Sequence, residues 1–540
     1  MVAKKVLIPA VGAVMLAGGA AAYYHFNWSQ AALDPNEMAK VIPDDAIAAM
    51  FVSTDAKTWS KLEQFGTPEA KSIVKKNLET FQQQVLSAAN LQYEKDLQPW
   101  VGNVMVAALP AVHGANSTIP NPLIVVGIRS KKDAIEFANK LKNESKVKST
   151  ETDYKGIKIA SYPSEKETAH TAVLKDFLVI STDQRAVEQA IDTLKGEPSL
   201  AAKANAQTFL NQDVGIQDPI ARFYVPDYSV AVQTLLKSSS ETAQLPPAVM
   251  DQLKQVQAIA AGVGIDQEGV RLKAIAKLNE QFANAEYKPA PGTVVAQFPN
   301  DTFALLSGAG MNRYWQQAVE QANSVSEAQM MLGMVRQNAK LMGLDLDQDV
   351  FGWMDGEFAI GLIPSTEGLL AQTGFGGVMV IDTSDRKTAE GMFSKLDQMA
   401  KSASFQIQQR DVQGKSVTEW QTPQGALVGH GWLDQDSAFI AVGGPLVETI
   451  AAPANPTLSN SDTFKAATGS LAKQNLGYFY LDVEKTMSLM KRTVLVAEQS
   501  AIPPETAAIL DSIRGVGMTS SQPNKSTSRF EMLLSLKRTQ

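Results

Sequence analysis

Apolar positions follow two regimes along this chain. From Val6 to Tyr24 they form an almost unbroken run. Beyond it they recur in short groups, spaced two apart or three to four apart, the spacings of half-buried strands and of helices. The run approaches the roughly 20 helical residues that cross a bilayer. Lys4 and Lys5 precede it, and Tyr23, Tyr24, Phe26 and Trp28 follow it. Basic residues suit the cytoplasmic flank of a spanning helix, and aromatic rings suit the lipid–water boundary. The expectation is an uncleaved transmembrane helix, a signal-anchor, over residues 1–26, with residues 27–40 as a tether. A cleaved signal peptide ending at Ala20-Ala21-Ala22 is the competing reading.

The body after the tether runs through one order of elements twice, about 41–285 and 290–540, joined by a Pro/Gly stretch from Tyr287 to Gly292. "IPDDAIAAMFVSTDAKTWSKL" from Ile42 and "PGTVVAQFPNDTFALLSGAG" from Pro291 each predict a Pro turn, a short strand and a polar turn into a helix. Helices are expected at 68–89 and 312–341. "LQPWVGNVMVAALP" from Leu97 parallels "VFGWMDGEFAIGLIP" from Val350, with Trp100 beside Trp353 and strands at 104–109 and 357–363. A Val/Ile-rich strand then leads into an amphipathic helix that buries Ala134, Phe137, Ala138 and Leu141, or Ala389, Met392, Phe393 and Leu396. A meander, a helix and a closing pair of strands complete each copy. The order is not a regular βαβ series. It predicts an α+β class: an N-terminal transmembrane helix followed by a duplicated body of antiparallel or mixed sheets with packed helices.

Composition narrows the function classes. A mean hydropathy of -0.11 excludes a polytopic membrane protein. A formal charge of -7 and a pI near 5.4 do not favour nucleic acid, and no basic patch argues otherwise. With no cysteine there is no disulfide, thiolate nucleophile or sulfur metal site.

Candidate chemistry is sparse. His25, His113, His170 and His430 share no metal spacing. Asp345, Asp347 and Asp349 resemble the start of a calcium loop, but its sixth and twelfth positions, Val350 and Gly356, break the pattern. The glycine groups at Ser307–Gly310 and Val442–Pro445 read as tight turns. Trp59, Trp100, Trp315, Trp353, Trp420 and Trp432 read as core, or as the lining of an apolar cavity. Met330, Met331, Met334 and Met342 mark an adaptable apolar face. Asp227 and Asp482 fall at matched positions, and an enzyme would need them to converge. No catalytic, cofactor-binding or metal residue is assigned.

The anchor, the phrase from Ile42, "LQPWVGNVMVAALP" and the restart "PGTVVAQFPNDT" together resemble the DUF3352 family of mainly cyanobacterial, membrane-anchored proteins. That resemblance carries over no activity and no catalytic residue. It implies a body in the periplasm or thylakoid lumen. The expected function is a non-catalytic envelope or thylakoid protein that scaffolds or assists assembly of a membrane complex. Its expected partners are the membrane, through the N-terminal helix, and a membrane protein. The alternative is a binding module or carrier for a lipid, pigment or other apolar ligand.

Overall fold

The structure, a computed structural model, describes residues 34–539 apart from 87–91, 112–119, 145–148, 164–167, 204–205, 207–209, 211–213, 240–246, 281–288, 324, 372, 453–454 and 493–501. The chain forms two compact units, Met1–Ala283 with Arg538–Gln540, and Asn284–Lys537.

The expected membrane anchor is corrected. Among the described residues no helix is long and apolar enough to cross a membrane. The longest described helix, Pro68–Leu86, carries Glu69, Lys71, Lys75, Lys76 and Glu79, each costly in a bilayer core. The run Val6–Tyr24 lies outside the described residues. A transmembrane helix, single-pass topology and a lumenal or periplasmic body tethered by it therefore have no support in the fold.

The first unit contains α1 (Pro35–Ala39), β1 (Ala48–Val52), α2 (Ala56–Ser60), α3 (Pro68–Leu86), β2 (Val101–Leu109), β3 (Asn121–Ile128) and α4 (Lys131–Glu144). The meander β4 (Thr150–Tyr154), β5 (Ile157–Pro163), β6 (Thr168–Leu174) and β7 (Phe177–Ser181) follows. Then come α5 (Gln184–Leu194), β8 (Ala221–Val225), α6 (Tyr228–Ser239), α7 (Pro247–Leu253), β9 (Val256–Ile265) and β10 (Gly269–Leu278). Strands pair antiparallel in the order β10-β9-β8-β1-β2-β3-β7-β6-β5-β4. Helix α5 starts where Asp183 accepts the Arg185 N–H, and it buries Ala186, Val187, Ala190 and Ile191. These pack with Met105, Leu123 and Val179 on one sheet face, each large side chain contributing about 1.5–3 kcal/mol. Helix α4 packs on the other face, with Ala134 and Phe137 against Trp100, Val104 and Ile124. Ala138, expected inside, is exposed, and the Leu141 side chain lies outside what is described.

The second unit contains β11 (Ala304–Ala309), α8 (Met311–Asn323), α9 (Ser326–Leu341), β12 (Glu357–Pro364), β13 (Phe375–Asp382) and α10 (Arg386–Ser402). Then follow β14 (Gln406–Val412), β15 (Lys415–Thr422), β16 (Gly425–Trp432), β17 (Ser437–Val442), α11 (Gly444–Ala451) and α12 (Asp462–Thr468). It closes with β18 (Tyr478–Asp482), α13 (Val483–Arg492), α14 (Pro504–Leu510), β19 (Ile513–Asn524) and β20 (Thr527–Leu536). Its antiparallel order is β20-β19-β18-β11-β12-β13-β17-β16-β15-β14. Both units are thus α+β, with antiparallel strands and packed helices.

Two details differ from the expected elements. The helix expected over 312–341 is two helices, α8 and α9, divided where Asn323, Ser324, Val325 and Ser326 cluster. All four are weaker helix formers than Ala or Leu, and Val325 is extended. The strand expected soon after Pro291 is delayed to Ala304. Before it, Val294–Gln297 is a 3₁₀ turn. The buried Glu357 carboxylate accepts the N–H groups of Gly292, Thr293 and Val294 and closes the chain into that turn.

Candidate functional site

Side chains alternate across a strand, so the register of the second unit fixes what each sheet face presents. Leu305 and Tyr480 point to the face covered by α11 and α12, and are fully buried. Their neighbours point the other way. One cross-strand row there reads Met518, Phe479, Leu306, Ile360, Met379. The next row reads Val516, Leu481, Ala304, Leu362, Gly377, Val442. Between β19 and β13 neither row contains an ionisable group; the first reaches His430 only beyond Ile440, on β16. Helix α10 covers this face at one end, burying Phe358, Ile381 and Ala438 under Met392 and Phe393. Beyond α8 and α10, with α13 packed against β18 and β19, the face carries exposed side chains: Leu306 is 50 % exposed, Val442 41 %, Ile360 38 % and Phe479 36 %. Phe530 on β20, two residues from Met532 and so on the same face, is 38 % exposed. Exposed apolar side chains are ordinary when scattered, but a contiguous set on one face marks a binding surface.

The polar groups, by contrast, are engaged locally. Asp349 accepts the Lys395 Nζ (2.6 Å) and the Asp345 N–H (2.8 Å), and its main-chain oxygen accepts the Trp353 Nε1 (3.1 Å). In the first unit Asp96 accepts the Lys140 Nζ (2.6 Å) and the Gln92 N–H (2.8 Å), and its main-chain oxygen accepts the Trp100 Nε1 (2.8 Å). Each latch ties a π-helical turn, Tyr93–Leu97 or Leu346–Val350, to α4 or α10. Asp347 accepts from Trp315 Nε1 and Arg336 Nη2, both at 2.7 Å, joining α8 to α9. Asp345 caps the turn by accepting the Asp347 and Gln348 N–H groups. The acidic run is therefore a set of structural acceptors.

These contacts set the acid behaviour. Lys395 and the Asp345 N–H hold Asp349 below the usual carboxylate range. For Asp96 and Asp347 burial pushes upward, but Lys140 and the Gln92 N–H, or Arg336 and Trp315, outweigh it and leave both low. A carboxyl depressed in the folded state contributes stability that is complete above about pH 4 and is lost as pH falls through its folded value. The urea midpoint is therefore expected to be lower at about pH 3 than at about pH 6. Equal midpoints at the two would contradict the latches.

The remaining candidates resolve one by one. His25 and His113 lie outside the described residues. His170 Nδ1 meets Ser161 Oγ across β5 and β6 at 2.9 Å, and burial pushes its pKa down. His430 stacks on Phe393, and its Nε2 lies 2.8 Å from Asp397 Oδ1, which also accepts from Trp420 Nε1 at 2.7 Å. Burial raises the Asp397 carboxyl, but these two partners outweigh it and hold it low. Asp227 accepts the Val230 N–H at the start of α6, and Asp482 accepts the Lys485 N–H in the first turn of α13. Gly310 and Gly443 take positive φ at the two glycine turns. Trp59 donates to the Ser53 carbonyl, Trp315 stacks on Phe351, and Trp432 lies under Arg386. These six tryptophans are packed side chains. Among the described residues no three His, Asp or Glu side chains form a metal site.

Sequence reasoning missed the open face because alternation identifies two faces of a strand without saying which a helix covers. Comparison with known proteins adds a family. Residues 9–536 match the family described as "Protein of unknown function (DUF3352)". No curated protein matches the chain. Among solved structures, crystal form III of TP0453 is 12% identical over 48% of this chain and 84% of that one, with a TM-score of 0.25. Crystal form I of TP0453 is 12% identical over 48% and 82%, again at 0.25. A likeness at that score carries no argument about ligand or mechanism.

Proposed function

We propose, from the premise that the chain belongs to the DUF3352 family, that it is a non-catalytic binding module for an uncharged apolar ligand of the acyl-chain type. The membrane-anchored description attached to the family resemblance, and the scaffold for a membrane complex built on it, are corrected: no described helix can span a bilayer. The observation that carries the proposal is the open face of the second unit, whose two cross-strand rows are apolar from β19 through β18, β11 and β12 to β13. From β12 to β20 it runs about 19 Å at the usual strand spacing, long enough to lay an extended chain against it. A polar small molecule would need fixed donors and acceptors to orient it, and these rows offer none from their side chains.

We further propose that 41–285 and 290–540 are copies of one unit. The same strand order and the same Asp–Lys–Trp latch in both support this reading.

A dansyl-labelled fatty acid titrated into the full chain tests the ligand class. Saturable binding is expected. The double variant Leu306→Asp, Ile360→Asp is expected to weaken it at least tenfold, about 1.4 kcal/mol, because each carboxylate must be desolvated under the chain. The circular dichroism spectrum should be unchanged, since both positions are half-exposed. Absence of saturable binding, or equal binding by the variant, would refute the proposal.

A further inference from the structure

Helix α9 presents a second apolar surface, independent of the sheet face. At about 100° per residue, Met330, Leu341, Met334, Met331, Val335 and the C-cap Met342 fall on one arc of about 140°, interrupted by Asn338 and, at the start of the helix, by Glu327. These six side chains are 50–80 % exposed. The opposite side of the helix is where α9 is held: Ala339 is buried and Arg336 reaches Asp347. Four of the chain's 19 methionines thus stand on one exposed arc within 13 residues. Elsewhere Met38 and Met105 are fully buried, and Met392 and Met354 nearly so. The chain has no cysteine to compete for oxidant.

We propose that this arc is an oxidation site: Met330, Met331, Met334 and Met342 are the thioethers that react first with a hydroperoxide. The peroxide O–O bond breaks and an S–O bond forms. The sulfur gives up two electrons, and hydrogen peroxide leaves as water. Each product sulfoxide is polar where the thioether was apolar, so four conversions on one arc change α9 from a water-avoiding to a water-accepting face. Arg336, Asp347 and Trp315, which hold the helix in place, carry no reacting sulfur. The contacts of Asp347 with Trp315 and Arg336 involve no reacting group, so only the outer surface of α9 changes character. A thiol-dependent methionine sulfoxide reductase reverses the change.

The test treats the full chain with limiting hydrogen peroxide and reads each methionine by peptide mass spectrometry. The four α9 methionines are expected to gain one oxygen each at doses that leave Met105 and Met392 unmodified. Peroxide should then lower the binding of a solvatochromic apolar dye to the native chain. It should leave dye binding unchanged in the variant Met330→Leu, Met331→Leu, Met334→Leu, Met342→Leu, which keeps the arc apolar without sulfur. Oxidation of Met105 or Met392 at the same dose would overturn the proposal, as would equal dye loss in both proteins. A failure to bind fatty acid on the sheet face leaves this result untouched, because the comparison is between two proteins with the same sheet.

Discussion

Replacing Trp353 by alanine lowers the stability of the second unit by about 3–5 kcal/mol. The indole is 1 % exposed and packs 6.1 Å from Phe393, ring centre to ring centre. Its Nε1 donates to the Asp349 carbonyl, and its own carbonyl accepts the buried Thr383 hydroxyl at 2.6 Å. Alanine removes the packing under α10 and leaves a cavity that the surroundings fill only in part. It also takes the donor from Asp349, the residue that ties the π-helical turn to Lys395. Urea denaturation followed by circular dichroism reads the change. A loss below about 1 kcal/mol, the scale of an ordinary substitution, would mean that the tryptophan is peripheral to the fold.

Gly477→Ala produces a loss of similar size by a different route. Gly477 precedes β18 with φ +128, where an L side chain costs roughly 1–3 kcal/mol in backbone strain. A Cβ there falls against the Ser307 carbonyl, and relieving that overlap costs roughly 1–3 kcal/mol more. The chain cannot easily move aside. The Gly477 N–H donates to Asn475 Oδ1, and its carbonyl accepts from Thr519, both buried bonds. Gly414→Ala is the control. Its φ is +83, but nothing lies within 4 Å of an added Cβ, so it should show the strain without the overlap. Equal losses at the two positions would contradict the close packing of β18 on β11.

Much of the fold was legible in the sequence, and the reasons differ by element. The phrase ending at Trp100 or Trp353 carries its own turn and strand, and the strands lie at 101–109 and 357–364, close to those expected. The buried stripe of α10 followed from the three-to-four spacing of Ala389, Met392 and Phe393. The α8–α9 break did not, because apolar spacing continues across it. The Asp349–Lys395 pair joins residues 46 apart, and no local pattern announces such a partner. The open sheet face was hidden for a related reason. Leu305 and Leu306 are adjacent and chemically alike, yet one is fully buried and the other half-exposed. That difference is set by which helices return to which face. The same limit explains the methionines of α9: their richness was visible in the sequence, whereas their exposure required α8 to be placed.

The proposed binding function turns on where an apolar chain rests. The most direct measurement is photo-crosslinking of the full chain with a diazirine-bearing fatty acid, followed by peptide mapping of the label. The account predicts label on the β11, β12 and β18 segments that carry Leu306, Ile360 and Phe479, competed away by unlabelled fatty acid. Label confined to other segments, or spread without competition, would contradict it.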